Sequence, residues 1–84
     1  MLSTPYIERA EPHEDHTITL HFENGERKQL DMKPYLETPA FRSLQDLSLF
    51  RQVRVVHGSL EWPGERDLAY DSLYAEAIPM EEEG

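Results

Sequence analysis

The chain contains no cysteine. That rules out a disulfide framework and any thiolate metal site, and it fits a reducing, cytoplasmic compartment. No apolar run approaches the roughly 20 residues that a membrane-spanning helix needs. The opening Met1-Leu2-Ser3-Thr4-Pro5 lacks the basic region and apolar core of a signal peptide. Basic residues are scarce: eight against seventeen acids, a formal charge of −9. Such a surface repels phosphate backbones, so no direct contact with nucleic acid is expected, and its electrostatic complement is a basic protein. Acidic charge also serves the plainer purpose of keeping a small domain soluble. The chain shows no internal repeat, no Gly-rich phosphate loop and no Ser–His–acid set in a supporting context.

What is present in strength is hairpin patterning. From Val53 to Trp62 the residues alternate about His57-Gly58, a two-residue turn. That turn pairs Val56 with Ser59, Val55 with Leu60, Arg54 with Glu61 and Val53 with Trp62. One face is then Val53, Val55, Leu60 and Trp62, and the other carries a cross-strand ion pair worth about 0.2–1 kcal/mol. A slip of one residue would bury the ion pair and expose the only tryptophan, so the register is strongly specified. Gly58 takes a positive φ without cost, and His57 tolerates it.

Thr17 to Phe22 reads as a second clear strand, with Ile18, Leu20 and Phe22 on one side. Asn24-Gly25 follows it. A two-residue turn there would pair Ile18 with Asp31 and mix the faces. A three-residue loop, Glu23-Asn24-Gly25 with Gly25 at a bulge, pairs Ile18 with Leu30 and keeps Leu30 and Met32 on the apolar side. Tyr6 to Ala10 reads as a first strand, left at Pro12. After Asp31 the pattern predicts a turn or short 3₁₀ piece. Thr38-Pro39 predicts a helix start, and Asp46 a further capped turn holding Leu47 and Phe50. Pro63-Gly64 forces a turn, and Leu68 returns to the core. Asp71 reads as the N-cap of a helix from Ser72 to Ala77, ended by Pro79. The sum is a single α+β domain over residues 1–77, a small antiparallel sheet of about five strands in two hairpins with short helices, followed by an acidic flexible tail, 78–84.

Three constellations carry possible chemistry. Glu11, His13, Asp15, His16 and His21 are proper ligands for zinc or nickel, but their spacing matches no closed site, and a solvated loop of histidines accounts for them better; no metal or other cofactor is expected. Glu61, Glu65, Asp67 and Asp71 surround the Trp62 loop, where two carboxylates held close can split their pKa values. Asp71 is already assigned to capping, and Asp67 to loop amides or to Arg66, so no catalytic residue is assigned and no enzyme is expected. Trp62, Tyr70 and Tyr74 fall close along the chain. They frame either a ligand pocket or an interaction surface, or else Trp62 packs into the core against Leu60 and Val53, the more common fate of a lone indole.

Phe22-Glu23-Asn24-Gly25-Glu26, Leu30-Asp31, Phe41 with Leu44 and Asp46, Phe50 with Val53, and Trp62-Pro63-Gly64 through Asp67-Leu68 to Leu73-Tyr74 follow one another in an order and spacing that resemble a small bacterial family, domain of unknown function 2442. Gly64-Glu65-Arg66-Asp67 departs from it, since members more often carry a second small or apolar residue before the aspartate. The resemblance implies an α+β fold and no known enzymatic activity. It also implies a neighbouring small protein, in an arrangement that looks like a toxin–antitoxin module. Some members are fused to a helix-turn-helix domain, for which these 84 residues leave no room. The expected function is therefore non-catalytic protein binding, antitoxin-like, to a basic partner encoded nearby; self-association as an accessory or regulatory domain is the alternative. Trp62, Pro63, Gly64, Asp67, Leu68 and Tyr74 are the residues expected to build the structure or the interaction surface around the loop.

Overall fold

In the computed structural model, residues 3–64 and 66–80 are described. Strand β1 (Ile7–Pro12), β2 (Thr17–Phe22) and β3 (Arg27–Asp31) form an antiparallel meander. A short helix α1 (Lys33–Leu36), a 3₁₀ turn (Arg42–Gln45) and α2 (Leu47–Phe50) lead to a second meander, β4 (Arg54–Val56), β5 (Ser59–Trp62) and β6 (Arg66–Leu68). Helix α3 (Tyr70–Glu76) then returns the chain to the first sheet, where β7 (Ile78–Pro79) pairs antiparallel with β3. The sheet orders are β1-β2-β3-β7 and β4-β5-β6. The α+β class stands, with the strands divided between two small antiparallel sheets.

Both hairpin registers follow the side-chain pattern. Ile18 faces Leu30 and Thr19 faces Gln29, closed by Phe22 N–H donating to Glu26 O at 2.9 Å and Gly25 N–H to Phe22 O at 3.0 Å. In the second hairpin Val55 faces Leu60 and Arg54 faces Glu61, with Arg54 Nη2 3.0 Å from Glu61 Oε1. His57 and Gly58 adopt φ of 51° and 80°, the doubly positive pair of a tight hairpin turn whose twist matches its strands.

The two sheets share one core. Ile18, Leu20, Phe22 and Leu30 from the first, Leu60 and Trp62 from the second, and Leu44, Phe50 and Leu73 from the helical turns are all buried. The indole is enclosed, and its Nε1–H donates to Phe50 O at 3.0 Å, joining the Val53 N–H at 3.3 Å on a carbonyl at the end of α2. Ile7 N–H donates to Gly58 O at 2.9 Å, which fastens β1 to the tip of the other hairpin.

The boundaries move where tertiary contacts override local signals. Strand β1 extends to Pro12, which an edge strand tolerates. A register shift between Ile7 and Arg9 lets Ile7 and Ala10, three apart, both face the core side beside Phe22 and Leu20. No helix starts at Thr38: its hydroxyl turns back and donates to Tyr35 O at 2.6 Å, closing α1 instead. Asp46 does cap α2, accepting Ser48 N–H at 2.9 Å. Helix α3 starts before Asp71, because Ser59 Oγ on β5 accepts the Tyr70 N–H at 3.0 Å and so supplies the cap from another element. Asp71 only accepts from its neighbour Ser72. Ile78 and Pro79, assigned to the tail on sequence, belong to the sheet, and Met80 N–H donates to Arg27 O at 3.0 Å; residues 81–84 of that tail lie outside the described residues.

Three substitutions separate the terms that hold this fold. A Cβ on Gly58 would lie 2.7–2.9 Å from the Tyr6 side chain, whereas one on Gly25 meets nothing within 4 Å, although both glycines have positive φ. Gly25→Ala should therefore carry only the conformational cost of about 1–2 kcal/mol, and Gly58→Ala clearly more, read as the difference in urea midpoints. Trp62→Phe should lose about 2 kcal/mol through the lost hydrogen bond and unfilled volume, visible as a lower Tm by circular dichroism.

Candidate functional site

Two concave surfaces stand out, one on each side of α3. The first is a recess of about 700 Å³ lined by Tyr6, Tyr70 and Tyr74 with Glu23 and Glu26. Tyr70 and Tyr74 stand one helical turn apart on α3 and so share a face. Tyr6, half exposed, is brought against them by the Ile7–Gly58 bond. The Tyr6 and Tyr70 rings meet edge to face with centroids 4.7 Å apart, and Tyr74 abuts Phe22 at 5.1 Å.

Both carboxylates of this recess are held by neutral donors. Glu23 Oε2 accepts Tyr6 N–H at 3.1 Å. Glu26 Oε1 accepts the Tyr74 hydroxyl and the Asn24 amide, each at 2.6 Å. The Tyr74 and Asn24 bonds hold Glu26 below the usual carboxylate range. Desolvation, with the neighbouring Tyr6 hydroxyl and the Asp71 and Glu23 carboxylates, raises Tyr70; the bond to Glu26, with desolvation behind it, raises Tyr74. The recess thus sets the phenol rings of Tyr6, Tyr70 and Tyr74 beside the carboxylates of Glu23 and Glu26. Behind it lies Lys28, buried on the core side of β3. Its Nζ donates to Tyr74 O at 2.7 Å and sits 3.5 Å from the Tyr74 ring centroid, so a cation serves a late carbonyl of α3 and a ring face together.

The second surface is a groove of about 810 Å³ between β3, β7, α1 and the end of α3. Asp15, Asp31 and Glu76 line it together with Leu30, Tyr35 and Ile78. Ile78 is 70% exposed, the most exposed of the large hydrophobic residues described. The Tyr35 hydroxyl lies 2.7 and 2.6 Å from the two Glu76 carboxylate oxygens, and Lys33 pairs with Asp31 at 3.3 Å.

The residues singled out around the Trp62 loop divide. Trp62 is core, with Phe41 edge-on at 6.1 Å. Leu68 pairs with Leu60 and packs against the core. Pro63 and Gly64 form an exposed turn closed by Arg66, whose guanidinium donates to Ala40 O at 2.7 Å and Pro63 O at 3.2 Å. Arg66 therefore braces the loop; the Glu65 amide, one of the donors expected to serve Asp67, lies outside the described residues. Asp67 lies on β6 opposite Glu61, completing a row Arg54–Glu61–Asp67 across the sheet. Of the four carboxylates weighed for acid–base chemistry, Glu61 pairs with Arg54 and Glu65 lies outside the described residues. Tyr70 and Tyr74 join Tyr6 instead of Trp62. Sequence reasoning missed Tyr6, Glu23, Glu26 and Lys28; only the spacing of Tyr70 and Tyr74 signals a shared face, and only once α3 is started at Tyr70.

The histidines are dispersed in the same way. His16, at φ 63°, directs Nε2 to Leu44 O and Gln45 O at 3.1 and 3.2 Å. Both partners only accept, so Nε2 carries the proton. His13 bonds Thr19 Oγ1 at 2.7 Å, and His21 Nε2 is 2.7 Å from Glu11 Oε2. Arg9 Nη2 lies 3.2 Å from the same nitrogen, but a proton donated to Glu11 leaves no lone pair there for Arg9. Among the described residues no three His, Asp or Glu side chains are grouped to hold a metal, and no helix is long and apolar enough to cross a membrane.

Tyr35 offers a direct check on the groove. Desolvation first, then the Glu76 bond and charge, push its pKa to about 12 from 10.0. Because the folded value lies above the unfolded one, this contribution to stability is intact below the unfolded pKa and is lost as pH rises towards the folded one. An NMR titration of the ring carbons should find Tyr35 ionising late. Glu76→Gln should bring it partway back, since desolvation persists.

No curated protein and no solved structure matches the chain. The family described as "Protein of unknown function (DUF2442)" matches residues 7–79, a span that runs from the first residue of β1 to the last of β7. The chain belongs to that family.

Proposed function

We propose that this domain is a non-catalytic protein-binding module for a basic partner, acting as the antitoxin-like half of a toxin–antitoxin pair. The observation that carries the reading is Ile78, a large apolar side chain left in water at the lip of a groove rimmed by Asp15, Asp31 and Glu76. An exposed hydrophobe within an acidic rim suits a partner that brings apolar contact with positive charge around it. The formal charge of −9 extends the same preference over the whole surface and steers a basic protein towards it. The site is also a sheet edge: among the described residues β7 is the outermost strand on this side of its sheet, and such an edge can receive a further strand.

Self-association through the same edge is the competing reading, favoured by the exposed Ile78. Light scattering on the domain alone decides between them, since a monomer mass that holds at every concentration removes it. Co-expression with the small protein encoded beside it, followed by gel filtration, should give one co-eluting complex. Ile78→Asp should weaken that complex by roughly tenfold or more, the equivalent of about 1.4 kcal/mol, while leaving the fold intact because the side chain is in solvent. Separate elution of the two proteins would remove the reading.

A further inference from the structure

The tyrosine recess calls for an occupant of its own, because it combines two features that recognise one kind of group. Its walls include the Tyr6 and Tyr70 rings, 4.7 Å apart at 65°, and the Tyr74 ring. Beside them stand Glu23, bound to a backbone N–H, and Glu26, bound to a phenol and an amide. Ring faces attract cations, and carboxylates attract them more strongly still. The molecule already uses this chemistry once, where Lys28 Nζ sits 3.5 Å from the Tyr74 centroid. Tyr6 is 50% exposed although its side chain packs closely on Gly58, so its ring is positioned and yet open to a ligand.

We propose that this recess is the seat of an arginine side chain presented by a protein partner, its guanidinium lying against the Tyr6 and Tyr70 rings and paired with Glu23 and Glu26. Arginine is favoured over lysine because a planar, weakly hydrated guanidinium stacks on aromatic rings while its fork of N–H groups reaches carboxylates. Nucleic acid is disfavoured by the same carboxylates. This rests on the reading of the domain as protein-binding, but on residues separate from the Ile78 groove.

The test is an NMR titration of the full chain with acetyl-Gly-Arg-Gly-amide, its lysine counterpart and its neutral citrulline counterpart at one ionic strength. The arginine peptide should produce saturable shifts at Tyr6, Tyr70 and Tyr74, the lysine peptide weaker ones and the citrulline peptide none. Glu23→Gln should weaken arginine binding by roughly five- to tenfold, the loss of a charge-assisted pair. Glu37→Gln, which removes an equal charge outside the recess, should leave it unchanged. Should Glu23→Gln alter the amide spectrum, Glu26→Gln serves in its place. Equal shifts from arginine and lysine spread over the whole surface, or full binding by the folded Glu23→Gln protein, would overturn the proposal. The two readings fail separately. Peptide binding by a domain that captures no basic protein removes the partner and leaves the recess, while capture of the partner undiminished by Glu23→Gln removes the recess alone.

Discussion

Two sheets too small to stand alone must bury their apolar faces against each other, and the rest of the structure answers that constraint. A three-stranded piece with strands of three or four residues offers little more than Val55, Leu60, Trp62 and Leu68 to a core. It persists because Ile18, Leu20, Phe22 and Leu30 of the other sheet complete that core. The indole joins the halves through chemistry as well as area. Its ring fills the centre, and its only donor serves the end of α2, so the largest side chain enters the interior without an unsatisfied polar atom.

The same constraint shapes the surface. Helix α3 is the bridge between the sheets: it leaves β6, donates its first N–H to Ser59 Oγ on the second sheet, and delivers β7 to the first. Bridging leaves concave surfaces beside it, the tyrosine recess and the Ile78 groove. Both collect carboxylates, and in the recess those carboxylates are held by neutral donors, a disposition that favours a cationic visitor over internal ion pairing. Where the chain needs an internal cation it uses Lys28, placed on the core side to reach the Tyr74 carbonyl.

Much of the fold was legible because strands carry a period of two and hairpin turns carry their own residues. Asn24-Gly25 and His57-Gly58 sit between alternating runs, and both registers follow from keeping the apolar side chains together. The helical turns were harder to read. Thr38 and Asp71 are good N-caps by type, but Thr38 closes the preceding helix and Asp71 stands inside a helix whose first amide is served from β5. The candidate site was barely legible. Tyr6, Glu23 and Glu26 come from the N-terminal side of one sheet and from its first hairpin, while Tyr70 and Tyr74 come from a helix more than forty residues further along.

By itself, then, the sequence determined the class of the fold, the pairing within each hairpin, the burial of Trp62 and the acidic character of the surface. These depend on neighbours along the chain or on composition. Tertiary structure alone decided that the strands form two sheets, that Arg66 braces the Trp62 loop, that the histidines stand apart and that three tyrosines meet beside two glutamates. Each of those depends on how distant segments pack into a shared core, and local residue preference carries no record of which distant segments will meet.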